Sequence, residues 1–259
     1  MKILFVGDVV GSGGRRVVNQ RLPDLVHRQE IDLVIVKCEN SAAWFGVTPD
    51  IAEDLLELGV DVLTSGNHIW DKKAILDYIP DQPRLIRPHN YPDAPGSGIY
   101  VGCTKQAVRY AVLNLQGRTY LPSIHCPFRT ADALLSELDL EVKVRFLDFH
   151  AEVTSEKSAM GWYLDGRISG LVGTHTHVQT ADERVLTKGT AYLTDAGMTG
   201  AIDSVIGMDC EGSIRRFLTG MPSRFEPAGG VARLSTVIID VDEQTGLARS
   251  IRRHNELSS

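Results

Sequence analysis

Apolar and polar positions alternate along the chain in two periods, one typical of strands and one typical of helices. Short runs rich in Val, Ile and Leu predict five buried strands, at residues 2–6, 33–36, 62–64, 145–149 and 168–172. A further strand is predicted at residues 191–195, and a closing hairpin at residues 231–240 and 249–253. Strands interspersed with helical segments predict an α/β fold.

Helix signals lie between these strands. Thr48 and Pro49 provide a cap and a first-turn proline for one helix. A second helix is predicted to begin at Thr130, and a third to be capped by Thr154 or Ser155. The chain therefore has helices available to cover the strands.

Polar side chains follow the carboxyl end of each of the five strands. They are Asp8 after the first, Glu39 and Asn40 after the second, Asn67 and His68 after the third, His150 after the fourth, and His175 and His177 after the fifth. Ligands of α/β sheets bind outside the carboxyl ends of the strands. Oxygen and imidazole donors without thiolates suit Mn, Fe, Mg or Zn in a catalytic site. The pattern predicts a metal site at these strand ends.

Single members of this set have simpler interpretations. Asp8 alone is equally consistent with a helix cap, and Glu39 with a salt bridge to Lys37. A lone His68 or His150 is typical of an ordinary loop histidine, whereas two histidines two residues apart after a strand are unusual without a metal. The other histidines lack this context and are interpreted as structural or surface residues: His27, His89, His125 and His254.

Composition limits the class of protein. The 259 residues, 43% of them hydrophobic, are enough for one domain over residues 1–259, with the proline-rich stretch 80–98 as a surface excursion. A net charge of −6 without a run of Lys or Arg argues against a duplex nucleic-acid binder. With no signal-peptide pattern and no apolar run long enough to span a bilayer, we expect a cytoplasmic protein without a membrane partner. Four cysteines without a CxxC pair are expected to be buried thiols: Cys38, Cys103, Cys126 and Cys210.

The polar motifs, taken in chain order, resemble those of the calcineurin-like metallophosphoesterases. The most specific parts are Gly-Asn-His at residues 66–68 and His-Thr-His at residues 175–177. Three departures stand out: Val10 replaces a histidine, Glu39 stands where an aspartate normally bridges the metals, and Ile69 replaces a common acidic residue. The last departure leaves Asp71 as the candidate to orient the His68 imidazole.

These departures, together with longer matching stretches, make the sequence similar to the bacterial YmdB-type phosphoesterases. The stretches are residues 37–42, 66–70, 87–92, 150–157 and 173–182, and the similarity runs from residue 1 to about residue 241. The resemblance implies a four-layer αββα sandwich of two mixed β-sheets flanked by helices. It also implies hydrolysis of cyclic nucleotides, chiefly 2′,3′-cyclic ones, with iron or manganese in the site and magnesium or zinc as alternatives.

The family roles map onto matching positions of this chain. Asp8, Asn40 and His177 would hold one metal ion; Asn67, His150 and His175 would hold a second; Glu39 would bridge the two. A metal-bound hydroxide would attack phosphorus, since a bound metal lowers the pKa of water to about 7. His68 would protonate the departing ribose oxygen as a general acid.

Two other functions stay open at this point. One is a phosphomonoesterase, such as a nucleotidase or protein phosphatase, on the same metal site. The other is a regulatory protein that binds a nucleotide or RNA with little turnover, although no basic patch favours RNA. Residues 197–230 either close over a substrate base, form a homo-oligomer contact, or make an ordinary surface loop with a short helix at 213–218.

Overall fold

Two mixed β-sheets form the centre of the molecule. The structure, a computed structural model, describes residues 1–222 and 226–258. Its strands are β1 (Lys2–Val6), β2 (Asp8–Val9), β3 (Leu33–Lys37), β4 (Val62–Thr64), β5 (Ile99–Cys103), β6 (Arg109–Gln116), β7 (Val144–His150), β8 (Gly170–Thr174), β9 (Arg184–Val185), β10 (Ala191–Leu193), β11 (Met198–Ala201), β12 (Ala232–Val241) and β13 (Ala248–Leu257). Its helices are α1 (Gly11–Gln29), α2 (Pro49–Glu57), α3 (Ile75–Tyr78), α4 (Pro127–Glu137), α5 (Thr154–Leu164) and α6 (Cys210–Thr219).

The first sheet has the strand order β2-β11-β12-β1-β3-β4, and β13 also pairs with β12. Strands β1, β3 and β4 are parallel neighbours, with Phe5 opposite Ile35, whereas β12 is antiparallel to β1 and β13. The β12–β13 pair confirms the predicted closing hairpin. Parallel neighbours bring the carboxyl ends of β1, β3 and β4 to the same edge of this sheet.

The second sheet has the order β5-β6-β7-β8-β10-β9. Its central strands β6, β7, β8 and β10 are parallel, and the two edge strands are antiparallel to their neighbours. Strand β8 spans Gly170–Thr174, so it begins and ends two residues later than predicted. The later end places the histidines of residues 175–177 directly beyond the sheet.

Alternating side chains of the strands fill three apolar layers. Ile3 and Phe5 point between the two sheets, where Phe5 packs on Phe146 with ring centroids 5.2 Å apart. Leu4 and Val6 point the other way, toward α1 and α2. A third apolar cluster packs the outer face of the second sheet against α4 and α5. The layers run helix, sheet, sheet, helix, which confirms the four-layer αββα sandwich.

Helix starts agree with the sequence in one case and differ in two. The Thr48 hydroxyl caps α2 by accepting from the backbone N–H of Ile51 at 3.4 Å, as predicted. The predicted start at Thr130 is wrong, because α4 begins at Pro127, whose fixed φ suits a first helical position. The predicted cap of α5 is also wrong, since Thr154 is its first residue and Val153 precedes it without a side-chain cap.

Two further expectations need correction. Residues 80–98 are not simply a surface excursion: Leu85 pairs with Leu63, and Arg87 is buried with its guanidinium donating to backbone carbonyls. Of the cysteines only Cys38 is buried, whereas Cys103 on an edge strand and Cys210 at the start of α6 are exposed. Among the described residues, no helix is both long enough and apolar enough to cross a membrane.

Candidate metal centre

The strand ends of both sheets meet at one place. Asp8 lies in the short strand β2, which pairs with β11, and therefore does not cap α1, which begins after Val10. His150 is the last residue of β7, the strand of the second sheet that lies beside β8. The backbone N–H of His175 donates to Asp8 Oδ2 at 3.4 Å across the two sheets. The predicted residues are thus brought together from five separate parts of the chain.

One cluster consists of Asp8, Asn40 and His177. The Asn40 amide nitrogen lies 3.3 Å from Asp8 Oδ1 and 3.1 Å from His177 Nε2. The same imidazole nitrogen lies 3.8 Å from Asp8 Oδ1. These are the three residues assigned to one metal ion by the resemblance, and they form one compact, buried group.

A second cluster consists of Glu39, Asn67, His150 and His175. His150 places Nδ1 at 3.0 Å from Glu39 Oε1 and Nε2 at 2.6 Å from Asn67 Oδ1. The rings of His150 and His175 lie 4.5 Å apart, centroid to centroid. These four residues are the ones assigned to the second metal ion and the bridge. Their role as ligands stays a prediction.

The side chains in both clusters contact one another directly. Within the part of the chain that the structure describes, no three His, Cys, Asp or Glu side chains surround a common point ready to hold a metal ion. Each cluster instead combines carboxylate and imidazole with an asparagine amide. A metal ion would therefore take the place of these direct contacts between side chains.

The contact between Glu39 and His150 is incomplete as a hydrogen bond. Glu39 Oε1 and His150 Nδ1 are fully buried, and neither has a hydrogen-bond partner although they face each other. Buried polar atoms in folded proteins almost always have a partner. A Cβ on Gly66 would lie 2.4 Å from both atoms, so the backbone packs closely against them and only glycine fits at this position. Buried oxygen and nitrogen donors without hydrogen-bond partners fit a divalent metal ion.

Burial sets the ionisation of these groups. It raises the pKa of Asp8 to about 6, although His177 and Lys37 act in the opposite direction. It lowers the pKa of His150 far below its ordinary value, and that of His175 as well, so both imidazoles are neutral at pH 7. Neutral imidazoles and an ionised carboxylate are the forms that bind metals.

Glu39 is held as a carboxylate by its contacts with His150 and with the Lys37 ammonium. Burial acts to raise its pKa, but His150 and Lys37 outweigh that effect and keep the pKa below the ordinary value. Lys37 Nζ lies 3.7 Å from Glu39 Oε1, so the salt bridge considered from the sequence is present together with the cluster. The two interpretations of Glu39 are compatible.

Two buried ion pairs hold the histidine loop that follows β8, and sequence reasoning missed both. Lys37 Nζ lies 3.0 Å from Asp148 Oδ2, and Asp148 Oδ1 accepts from the Thr174 hydroxyl at 2.7 Å. Lys157 Nζ lies 2.7 Å from Asp195 Oδ2, which also accepts from the backbone and hydroxyl of Thr176. The signal available in the sequence was Lys37, a lysine at the end of an apolar strand.

The histidine loop itself has an unusual backbone. His175 has φ of 101° and His177 has φ of 65°, a region that residues with side chains seldom adopt. Such conformations cost on the order of 1–3 kcal/mol each and persist where the surroundings over-determine them. The buried ion pairs beneath the loop supply that constraint.

His68 lies at the edge of the second cluster and is partly exposed. Its Nδ1 lies 2.7 Å from Asp71 Oδ2, so the contact proposed for Asp71 is present. Its backbone N–H donates to Glu39 Oε2 at 2.7 Å, and its ring packs on Phe45 with centroids 4.4 Å apart. Asp71 and Phe45 therefore fix the orientation of the imidazole ring.

Residues 4–254 match the family model described as YmdB-like protein. The chain belongs to the YmdB-like family. This confirms the resemblance seen in the motifs, and its match continues beyond residue 241 to residue 254. A Bacillus subtilis (strain 168) protein named 2′,3′-cyclic-nucleotide 2′-phosphodiesterase is 52% identical over 255 residues, or 98% of this chain and 96% of that protein.

Further relatives agree with this chain in sequence and in structure. A Mycoplasma pneumoniae protein named putative phosphatase/phosphodiesterase is 38% identical over 95% of this chain and 89% of its own length. The crystal structure of a hypothetical protein from Thermus thermophilus superimposes with a TM-score of 0.93 at 38% identity, covering 100% of both chains. A crystal structure described as a novel phosphatase from Mycoplasma pneumoniae gives a TM-score of 0.93 at 35% identity, covering 99% of this chain and 93% of that one.

Proposed function

We propose that this chain is a metal-dependent phosphodiesterase that opens 2′,3′-cyclic nucleotides. The observation that carries the proposal is that Glu39 Oε1 and His150 Nδ1 face each other within the second cluster, next to Gly66, buried and without hydrogen-bond partners. The named activity of the Bacillus subtilis relative supplies the substrate class. The names of the Mycoplasma relatives, which include phosphatase, support the broader class of phosphoester hydrolases.

Two divalent ions, iron or manganese, fit the residues present. Asp8, Asn40 and His177 would hold one ion, while Asn67, His150 and His175 would hold the other, with Glu39 between them. The mixed carboxylate, amide and imidazole set suits these metals, and magnesium and zinc are the alternatives. When bound, the ions would neutralise phosphoryl charge and supply a nucleophilic oxygen at neutral pH.

The balance of charge favours an anionic substrate. Two divalent ions bring four positive charges, and Asp8 and Glu39 return two negative ones, because amide and imidazole groups bind a metal in their neutral form. A surplus of about +2 at the site would attract a phosphodiester, although the chain as a whole carries −6. The attraction is local to the strand ends.

His68 would supply the proton that the departing ribose oxygen needs. Asp71 holds Nδ1 at 2.7 Å, and this contact leaves Nε2 to donate toward the substrate. Phe45 packs on the ring and restricts its rotation. A positioned acid of this kind contributes ~10²–10⁴-fold to the rate. His68 contacts the cluster through its backbone, so its side chain can be changed while the donor groups stay in place.

Product analysis tests the proposal. The protein is incubated with 2′,3′-cyclic AMP and Mn²⁺, and the products are separated by ion-exchange chromatography. Opening to the 3′-monophosphate is expected, because this is the product when the bond to O2′ breaks. His68→Asn should keep its metal and lose at least about 100-fold in kcat. The same substitution at His254, which lies on β13 and contacts Glu256, is the matched control and should keep full activity.

Two results would contradict the proposal. Turnover that is unaffected by complete removal of metal would exclude the assigned donor clusters from the chemistry. No opening of any 2′,3′-cyclic nucleotide by metal-loaded protein, together with release of phosphate from nucleoside monophosphates, would assign the site to a phosphomonoesterase.

A further inference from the structure

An apolar cleft opens beside the first donor cluster. It has a volume of about 260 Å³, and its lining consists of Trp44, Val205, Ile206, Met208 and Phe217 together with two polar residues, Ser213 and Arg216. Sites for small molecules are typically apolar cavities with a few polar groups at one side. The cleft is smaller than a site for a whole drug-sized ligand, and its size suits one flat heterocycle.

The cleft and the donor cluster share their wall. The Trp44 ring lies edge-on to the His177 ring with centroids 5.4 Å apart. The His177 Nδ1 atom also lies 3.0 Å from the backbone oxygen of Ile206, another residue of the cleft. A molecule whose phosphate binds at Asp8, Asn40 and His177 would thus have its next chemical group at the mouth of the cleft.

The backbone around Trp44 is shaped to hold the indole in place. Gly207 has φ of 104°, and a Cβ at this position would lie 2.7 Å from Trp44 Cζ3. Ile206 and Ala43 also have positive φ, at 49° and 71°, on the two segments that meet at the indole. Strained backbone of this kind clusters at ligand sites. Glycine at position 207 therefore allows the two segments to approach each other this closely.

We infer that this cleft binds the base of a nucleotide substrate and that Trp44 is the stacking residue. The inference rests on the proposed function, since it assumes a nucleotide phosphate at the donor clusters. Stacking on an aromatic side chain is tolerant of sequence, because every base has a π face. A predominantly apolar lining provides little hydrogen-bond readout, so the protein should accept adenine, guanine, cytosine and uracil with similar KM.

A second copy of the chain is the competing occupant. The outer face of α6 exposes Phe217 at 84% and Leu218 at 81% of their surfaces, which is typical of contact with another protein. Trp44 is different, because it is half-buried and contacts the donor cluster. Its contact with His177 favours the base as the occupant of the cleft.

The test compares a substrate that has a base with one that lacks it. Both 2′,3′-cyclic AMP and glycerol 1,2-cyclic phosphate present the same five-membered cyclic phosphodiester. For Trp44→Ala, the ratio of kcat/KM for the first over the second should fall roughly 5- to 150-fold, the range that corresponds to loss of one stacking contact. Trp44→Phe should restore most of the ratio. Trp162→Ala, on α5 and 48% exposed, is the matched control and should keep it.

A binding measurement separates this inference from the proposed function. Quenching of tryptophan fluorescence by 3′-AMP should be seen in the wild type and in Trp162→Ala, and be lost in Trp44→Ala. If the wild type opens neither cyclic phosphate yet shows this pattern, the proposed function fails and the base site stands. An unchanged substrate ratio with unchanged quenching in Trp44→Ala would overturn the base site. If Phe217→Asp then lowered the molar mass in light scattering, the second copy would be the occupant.

Discussion

Replacing Lys37 with methionine tests the buried ion pairs beneath the site. The Lys37 ammonium is fully buried, 3.0 Å from Asp148 Oδ2 and 3.7 Å from Glu39 Oε1, and it donates to the Ser65 carbonyl at 2.5 Å. Burial acts to lower the pKa of Lys37, but Asp148 and Glu39 outweigh that effect and raise it. The lysine is therefore charged at pH 7, and both carboxylates depend on it.

The size of the effect follows from these distances. With an effective dielectric constant of ~20, a charge pair at 3.0 Å attracts by about 5–6 kcal/mol, and the pair at 3.7 Å by somewhat less. Taking the ammonium out of water costs several kcal/mol, which offsets much of this attraction. Removing only the lysine leaves the buried carboxylates of Asp148 and Glu39 without the ammonium that balances their charge. We expect a loss of about 3–5 kcal/mol in the free energy of unfolding.

Urea unfolding of metal-free protein, followed by circular dichroism, measures this loss. Lys188→Met is the matched control, since Lys188 has an exposed side chain, and it should change stability by less than about 0.5 kcal/mol. The double variant Lys37→Met/Asp148→Asn should be more stable than the single variant, because one stranded charge is gone. A loss below about 1 kcal/mol in Lys37→Met would refute the argument.

Three other predictions concern the donor clusters. Gly66→Ala places a methyl group 2.4 Å from the buried carboxylate–imidazole pair and should abolish metal uptake in elemental analysis, whereas Gly13→Ala, with open space around it, should leave uptake unchanged. Asp71→Asn should retain metal and lower kcat by about 10–100-fold, because the His68 ring loses the carboxylate that orients it; an unchanged kcat would exclude Asp71 from this role. Because the pKa of Asp8 is raised to about 6 and only its ionised form binds metal, Mn²⁺ affinity measured by calorimetry should be constant above about pH 7 and fall as the pH drops through 6. A constant affinity down to about pH 5 would contradict that expectation.

The periodicity of the sequence predicted β1, β3, β4, β7, β8, β10, β12 and β13, but it did not predict β2, β5, β6, β9 or β11. The predicted parallel strands were visible because buried parallel strands are continuous apolar runs. Strand β1 and the β12–β13 hairpin lie where the pattern placed them. Helix starts were harder. Thr130 carries a cap-forming side chain, but its hydroxyl donates to the Cys126 carbonyl inside α4, while the helix begins at Pro127. The presence of a residue that can cap a helix therefore does not show at which residue the helix begins.

The candidate site was predictable because its residues stand next to strands in the sequence. The supporting groups were not, because their partners are distant in sequence. Lys37 and Asp148 are separated by 111 residues and meet only when the two sheets pack together. Trp44 follows the second predicted strand in the sequence, but its contact with His177 is visible only in the structure. There Gly207, with its left-handed backbone, packs closely against the indole. Contacts of this kind form only when distant parts of the chain pack together, so the local sequence pattern does not predict them.

Metal titration tests the central claim most directly. Metal-free protein is mixed with rising amounts of Mn²⁺, and opening of 2′,3′-cyclic AMP is measured at each ratio. Activity is expected to rise to its maximum at two bound ions per chain. In Glu39→Gln activity should be absent at every ratio, and in Glu211→Gln, at the exposed start of α6, it should be normal. Full activity in the metal-free protein, or in metal-loaded Glu39→Gln, would contradict the account.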